Sequence, residues 1–173
     1  VKTTVESPEE HWDIFSSWEM YDNFIVNVLK EVKRIMKPNA TIWAIGTYHN
    51  IFRIGKIMQD LGFWILNNVI WFKTNPMPNW LNVRLTNATE ELIWAVKNKN
   101  VKNYTYNLEY AKKFSFKDFK SKIPLNVWRL PICMGKERIK DKNGKRLHPT
   151  QKPEKLLERI ILLSTKEGDI AVS

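Results

Sequence analysis

The side chains of this sequence that could transfer protons, ligate a metal or attack a substrate form no recognisable catalytic arrangement. The histidines are His11, His49 and His148, and they do not have the spacing of metal ligands. Cys133 is the single cysteine, so a disulfide scaffold and a cysteine-rich zinc site are excluded. The chain also lacks a nucleophile elbow, a Walker loop and a Gly-x-Gly-x-x-Gly fingerprint. We interpret His11 and Cys133 as bystanders and expect no bound metal.

Side chains suited to binding are easier to identify. Tyr48, His49 and Asn50 lie between a predicted strand and a predicted helix, where open α/β sheets place ligand sites. His49 could instead cap that helix. Lys152 lies at the start of another predicted helix, either as a ligand-binding cation or as a surface lysine beside a helix cap.

The spacing of apolar residues predicts alternating helices and strands, and therefore an α/β fold with helices flanking a mostly parallel sheet. A capping box from Ser16 to Glu19 should open the first helix, and Pro153 should occupy the first position of the last. The final six residues indicate a strand that is just beginning. The predicted elements are a helix ending before Pro38, a strand at 41–46, a helix at 49–62, a strand at 63–73, a loop at 74–87, a strand at 91–98 and a helix at 153–166.

Four tryptophans lie in the predicted strands, namely Trp43, Trp64, Trp71 and Trp94. An aromatic side chain in a strand can belong to the core or form a platform for a nucleobase. We expect all four to belong to the core.

Positive charge is concentrated in one part of the chain. The net charge is +10, and the segment from Lys97 to Lys155 holds 17 Lys and Arg against 5 Asp and Glu. This distribution favours a polyanionic partner such as nucleic acid, although a lysine-rich surface loop would have the same composition. No apolar run approaches the roughly 20 residues that span a bilayer, so we expect no membrane contact.

Three stretches resemble segments of one enzyme family, the β-class DNA amino-methyltransferases. The first is "HPTQKPEKLLERII" (148–161) followed by "GDIAVS", the second is "GTYHNIFRIG" (46–55), and the third is "IWFKTNPMPNWLNVRLTNATEELIWA" (70–95). They are similar above all to the adenine-specific subgroup of the HinfI and cell-cycle-regulated type. The resemblance covers about residues 12–95 and 124–173.

The resemblance implies a Rossmann-like class I methyltransferase fold and S-adenosylmethionine as the cofactor. In that family a catalytic Asp/Asn/Ser-Pro-Pro-Tyr tetrapeptide precedes these segments, and a glycine-rich cofactor loop follows them. Neither motif occurs in residues 1–173. We therefore expect the chain to be the central portion of such an enzyme, with half of the catalytic domain at 1–98, a basic target-recognition insert at 99–147 and a cofactor-side helix and strand at 148–173.

The resemblance further implies an activity and a setting. The enzyme would flip a base out of double-stranded DNA and methylate the N6 amino group of adenine at a specific sequence. It would work in the bacterial cytoplasm, at the nucleoid. A homodimer and a cognate restriction endonuclease are further partners that the family allows.

The resemblance also assigns roles to individual residues, at the positions of this sequence that match the family's motifs. Lys152 would pair with the carboxylate of the cofactor, helped by the helix N-terminus, and its neighbours would shape the turn. The loop at 74–87 would cover the flipped base and the duplex, unless it is only a rigid connector. The expected cofactor-binding residues are His148, Thr150, Gln151, Lys152 and Pro153; the expected DNA-binding residues are Asn75, Pro78, Asn79, Arg84, Thr86, Asn87, Lys112, Lys113 and Lys117; and Tyr48, His49 and Glu90 are expected near the catalytic centre.

Two other functions stay open. One is methylation of the N4 amino group of cytosine on the same scaffold, and the other is a degenerate module that binds DNA without catalysis. Lysines position a protein on phosphates and rarely specify a base, so the target sequence cannot be read from the basic segment. Glu90 could also be no more than an ion-pair partner.

Overall fold

A computed structural model describes residues 15–148 and 150–173, so His11 and Pro149 lie outside the described residues. Helices and strands alternate through the first part of the chain, and the second part contributes two helices and a strand. The elements are α1 (Trp18–Ile35), β1 (Thr41–Gly46), α2 (Ile51–Asp60), β2 (Trp64–Lys73), β3 (Thr89–Val96), α3 (Leu108–Phe119), β4 (Val127–Leu130) and α4 (Glu154–Ser164).

The four strands form one mixed sheet in the order β1-β3-β2-β4. β3 pairs antiparallel with both β1 and β2, and only the pairing of β2 with β4 is parallel. The expectation of a mostly parallel sheet is therefore wrong for the described strands, although the α/β class is correct. The reason is that β2 returns directly into β3 through the loop at 74–88, and a strand joined in this way lies antiparallel to its neighbour.

Helices cover both faces of the sheet, and each face has its own apolar cluster. On one face α1 and α2 pack on β1 and β3 through residues such as Leu29, Ile51 and Ile93. On the other face α3 and α4 pack on β2, β3 and β4 through residues such as Phe114 and Leu156. Successive side chains of a strand point to opposite faces, so β1, β2 and β3 supply both clusters, whereas β4 supplies only the second.

Several predicted boundaries shift by one or two residues. The side chain of Ser17, not Ser16, caps α1 by accepting a hydrogen bond from the Met20 amide. Asn50, not His49, occupies the N-cap position of α2. Pro153 is the N-cap residue of α4 rather than its first helical residue.

The predicted terminal strand is absent. Residues 169–173 make no strand pairing in the described chain, and Ile170 and Val172 are exposed. A strand exists only with a hydrogen-bonded neighbour, and the described residues place none beside this segment.

The basic segment at 99–147 contributes to the same sheet and core. β4 pairs with β2, and α3 packs against α4 and β4. Buried Phe114 and Trp128 belong to the cluster that also contains Leu92 of β3. The middle of this segment is therefore part of the α/β core, and only its flanks lie outside the helices and the sheet.

The tryptophans divide between core and surface. Trp71 and Trp94 are buried. Trp43 is partly buried, packs against the cluster that contains Trp71, and stacks on the ring of Trp94. Trp64, at the start of β2, is 53% exposed, so its assignment to the core is wrong. Within the described residues no helix is both long and apolar enough to cross a membrane.

Candidate functional site

Glu90 lies between two lysines at one end of the sheet. Its Oε2 atom is 2.8 Å from Nζ of Lys152, and its Oε1 atom is 2.9 Å from Nζ of Lys73. Strand alternation explains the meeting, because Lys73 shares a face of β2 with buried Trp71, and Glu90 shares a face of β3 with buried Leu92. Lys152 reaches the same face from the start of α4. The three side chains form what we call the Glu90 cluster.

The Glu90 cluster is shielded from solvent to different degrees. The side chains of Glu90 and Lys73 are 12% and 13% exposed, whereas that of Lys152 is 30% exposed. Burial acts to raise the pKa of Glu90, but the ammonium groups of Lys152 and Lys73 outweigh it and hold the pKa below its ordinary value. The charged carboxylate therefore stabilises the fold above the ordinary pKa, and that contribution is lost as the pH falls through the lowered one.

The turn before α4 is fixed largely by contacts within the protein. Gln151 accepts a hydrogen bond from the Ile139 amide and donates one to the Glu137 carbonyl, both at 2.9 Å. The Thr150 amide donates to Nδ1 of His148 at 3.2 Å, and Pro153 is fully buried. Among the five residues expected to bind the cofactor, Lys152 carries a positive charge on a partly exposed side chain, so its ammonium group can reach a ligand.

The N-terminus of α4 already has an anionic partner. The Glu154 amide donates to Oε1 of Glu137 at 2.7 Å. A carboxylate at this position is favoured by the unpaired amides and the dipole of the helix. One backbone amide at this helix start is therefore engaged by a carboxylate of the chain itself, and the expected contact of Lys152 with the cofactor stays a prediction.

The loop at 74–88 is organised by its own polar side chains. Asn79 donates from Nδ2 to the Arg84 carbonyl at 3.0 Å, and its backbone amide donates to Oγ1 of Thr86 at 3.3 Å. Asn75 accepts from the Ile132 amide at 2.8 Å, which ties the start of the loop to the segment after β4. The loop is therefore a defined structure that carries Arg84 outward.

Arg84 connects this loop to the junction before α2. Its guanidinium donates to the hydroxyl of Tyr48 and lies 5.7 Å from the centroid of that ring. The ring of His49 packs against Tyr48 with a centroid separation of 3.9 Å. The structure thus brings the predicted site residue Arg84 to two others, the neighbouring Tyr48 and His49, which lie about 36 residues earlier in the chain.

A cleft of about 540 Å³ lies beneath the loop, and Lys73 connects it to the Glu90 cluster. Amide, hydroxyl and guanidinium groups share its wall with large apolar side chains. Such a lining can hold a flat, partly polar ring by its faces and its edges. The cleft is lined by Lys73, Met77, Pro78, Asn79, Trp80, Leu81, Arg84, Leu85, Thr86, Asn87 and Ile132.

The predicted DNA-binding lysines lie elsewhere, on α3. Lys112 is half-buried and paired with Glu109 at 2.8 Å. Lys113 and Lys117 are exposed and four residues apart, so they share one side of the helix. These lysines are not among the described residues that line the cleft.

Sequence reasoning missed two residues of this region. Lys73 is a lysine at the end of an otherwise apolar strand, and its position two residues after Trp71 could have placed it on the inner face. Glu137, which caps α4, gave no comparable indication, because its partner lies 17 residues away across irregular chain. Among the described residues no group of His, Cys, Asp and Glu could hold a metal ion.

Two curated proteins are similar to nearly all of this chain. The type II methyltransferase M.HinfI of Haemophilus influenzae is 48% identical over 164 residues, which cover 95% of this chain and 44% of that protein. The type II methyltransferase M2.LlaDCHI of Lactococcus lactis subsp. cremoris is 41% identical over 158 residues, which cover 91% and 55%. The chain spans about half the length of the curated relatives it matches.

Solved structures share the fold. The crystal structure of the M1.HpyAVI–SAM complex superposes with a TM-score of 0.57 at 27% identity, over 85% of this chain and 63% of that one. PvuII DNA methyltransferase, described as cytosine-N4-specific, superposes with a TM-score of 0.67 at 18% identity, over 98% and 62%. The predicted Rossmann-like class I methyltransferase fold is thereby confirmed.

A family model agrees with these relatives. It is described as DNA methylase and matches residues 3–172. Because the match extends over nearly the whole chain and the relatives cover almost as much of it, this chain belongs to the DNA methylase family.

Proposed function

We propose that the protein carrying this chain transfers a methyl group from S-adenosylmethionine to the N6 amino group of adenine at a specific sequence in double-stranded DNA. The observation that carries the proposal is the 48% identity to the type II methyltransferase M.HinfI over 95% of the chain. Membership of the DNA methylase family and the structural likeness to M1.HpyAVI with bound SAM support the substrate and cofactor classes. The choice of adenine rests on the resemblance of residues 46–55, 70–95 and 148–161 to the adenine-specific subgroup.

One residue of this chain, Lys152, fits the carboxylate group of the cofactor. Lys152 has three N–H donors, it uses one for Glu90, and its side chain is partly exposed. It can therefore donate a hydrogen bond to a second carboxylate, that of the methionine moiety. When bound, S-adenosylmethionine supplies an electrophilic methyl group on a sulfonium.

The chain's own contribution to the reaction is positioning. The target amine lies inside the base stack, so the nucleotide must be flipped out at a cost of roughly a few kcal/mol. The cleft beneath the loop at 74–88 offers apolar surfaces for the ring and polar groups for its edge. The ion pair of Lys73 with Glu90 supports a base site and a cofactor site that lie side by side, as in-line transfer requires.

The full-length protein tests the proposal directly. It should transfer label from methyl-labelled S-adenosylmethionine to plasmid DNA, and nucleoside analysis should identify N6-methyladenine. Recovery of N4-methylcytosine would keep the methyltransferase and correct the base. DNA binding without transfer to any sequence would contradict the enzyme and favour the non-catalytic module. A homodimer, a cognate restriction endonuclease and a location at the nucleoid stay predictions of the resemblance.

Lys152→Met in the full-length protein should weaken S-adenosylmethionine binding by about 10-fold to 100-fold and leave DNA binding within about twofold. The reason is the loss of a charge-assisted contact, worth about 1.5–3 kcal/mol. Titration calorimetry with the cofactor and fluorescence anisotropy with a DNA duplex measure the two affinities. Lys155→Met is the matched control, because Lys155 is exposed and pairs with Glu158 on the surface of α4. Equal losses of both affinities in Lys152→Met would contradict the assigned role.

Lys113→Ala combined with Lys117→Ala should reduce the salt dependence of DNA binding. If each lysine neutralises one phosphate, the slope of log K against log salt should become shallower by about 0.9 per residue, and by nearly two for the pair. Anisotropy titrations at several salt concentrations give the slope. Lys30→Ala with Lys37→Ala is the control, because these exposed lysines lie in α1 and just beyond it, on the other face of the sheet. An unchanged slope in the α3 variant would place the phosphate contacts elsewhere.

A further inference from the structure

We propose that Glu90 is a positioning residue that holds Lys152 in place for the cofactor's carboxylate. The inference rests on the proposed function, since it concerns how the cofactor-binding cation is oriented. Nothing in the resemblance assigns Glu90 this task. Its own contacts and burial carry the argument.

The first step is that both oxygens of Glu90 are engaged by different elements. Oε2 lies 2.8 Å from Nζ of Lys152 at the start of α4, and Oε1 lies 2.9 Å from Nζ of Lys73 at the end of β2. A carboxylate fixed at both oxygens on a strand of the sheet cannot rotate freely. Glu90 therefore presents Lys152 with an anchor of set position and direction.

The second step concerns what Lys152 would do without that anchor. A lysine has a long, flexible side chain and a strongly hydrated head group, so a partly exposed ammonium moves into solvent unless something holds it. Lys73 would then be an unpaired cation close to Lys152, and the two like charges would repel each other. Replacing the carboxylate with an amide should displace Lys152 from its present position.

The third step separates positioning from competition. Glu90 is itself a carboxylate bound to the lysine that should bind a carboxylate, so it could act as a rival ligand. Geometry favours positioning, because Lys152 uses one of its three donors on Glu90 and remains 30% exposed for a second partner. The two roles predict opposite effects of removing the charge.

The test uses Glu90→Gln in the full-length protein. The dissociation constant for S-adenosylmethionine, measured by calorimetry, should rise by about tenfold, in the range of couplings between charged side chains in contact. DNA affinity, measured by anisotropy, should change by less than about twofold. In a Lys152→Met background the same substitution should have little further effect on cofactor binding, which loss of general stability would not produce.

Glu91→Gln is the matched control. Glu91 is the next residue of β3, its side chain lies on the opposite face, and it accepts a hydrogen bond from Asn68 at 2.8 Å. The Glu91→Gln variant should bind the cofactor with the affinity of the unaltered protein. If Glu90→Gln does not fold, Glu90→Asp decides. It keeps the charge on a shorter side chain, so it should lose cofactor affinity relative to the unaltered protein, but less than Lys152→Met does.

The outcomes are distinct. Tighter binding of S-adenosylmethionine by Glu90→Gln would identify Glu90 as a competitor of the cofactor's carboxylate. Unchanged binding, or a loss fully additive with that of Lys152→Met, would make Glu90 a structural ion-pair partner. Either result overturns the inference. If the unaltered protein does not bind S-adenosylmethionine, the proposed function itself has failed. If Lys152→Met weakens cofactor binding and Glu90→Gln does not, only the positioning role is lost.

Discussion

Asp118→Ala should lower the free energy of unfolding by about 3–5 kcal/mol. Asp118 and Arg159 form an ion pair whose side chains are only 5% and 7% exposed, with Oδ2 at 2.6 Å from Nη1. The same oxygen accepts from the Arg129 amide at 2.9 Å, so one carboxylate joins α3, α4 and β4. Its removal would leave a guanidinium buried without a counter-charge.

Urea unfolding followed by circular dichroism measures this loss. Glu31→Ala is the control, because Glu31 and Arg34 pair at 2.7 Å on the surface of α1, and such pairs contribute about 1 kcal/mol at most. Adding Arg159→Met to Asp118→Ala should recover much of the stability, since an apolar side chain can pack against Phe114 and Trp128 where the guanidinium now lies. A loss from Asp118→Ala no larger than that from Glu31→Ala would contradict the prediction.

Trp71→Ala should cost about 3–5 kcal/mol of stability by creating a cavity beneath the site. Trp71 is 2% exposed, belongs to the α3–α4 side cluster, and donates from Nε1 to the Leu130 carbonyl at 3.0 Å. Lys73, two residues later, lies 5.6 Å from its ring. The indole therefore lies beside Lys73, one member of the Glu90 cluster.

Two variants divide that effect into its parts. Trp71→Phe keeps an aromatic ring and loses one hydrogen bond, so it should cost about 0.5–1.5 kcal/mol for that bond, in addition to a smaller packing loss. The Leu130 carbonyl would still accept from the Thr74 amide at 3.2 Å. Trp64→Ala, at an exposed tryptophan of the same strand, should cost clearly less than Trp71→Ala. Equal losses at Trp64 and Trp71 in urea unfolding would refute the assignment of Trp71 to the core.

Local pattern was sufficient for most of the elements. The apolar spacing of 18–35 and 51–60 is helical, and 41–46 and 64–73 alternate or run apolar as strands do, so these four elements follow from the sequence to within about two residues. The order of strands did not follow, because helix and strand alternation is compatible with both parallel and antiparallel neighbours. The insertion of β3 between β1 and β2 depends on long-range pairing that no local window contains.

In the candidate site, too, the sequence predicts some residues but not the contacts that they make. Tyr48 and Lys152 were predicted from their positions at the ends of predicted elements, and Arg84 from the resemblance. The contact between Arg84 and Tyr48 spans 36 residues, a distance that spacing in the sequence could not predict. Gln151 was expected at the cofactor, yet both ends of its amide are engaged by backbone groups of 137–139. A motif identifies a residue type at a position, whereas the partner of its side chain is settled by the folded chain around it.

The parallel pairing of β4 with β2 limits which parts of residues 99–147 could be exchanged between relatives. A graft that replaced 99–147 as one unit would discard an edge strand and the aspartate that neutralises Arg159, so the recipient would lose stability. Workable chimaeras should keep 108–130 from the host and vary the stretches on either side. Under the proposed function, a change of DNA target would then come from the loops that flank this part of the chain, while the sheet and helices beneath them stay constant.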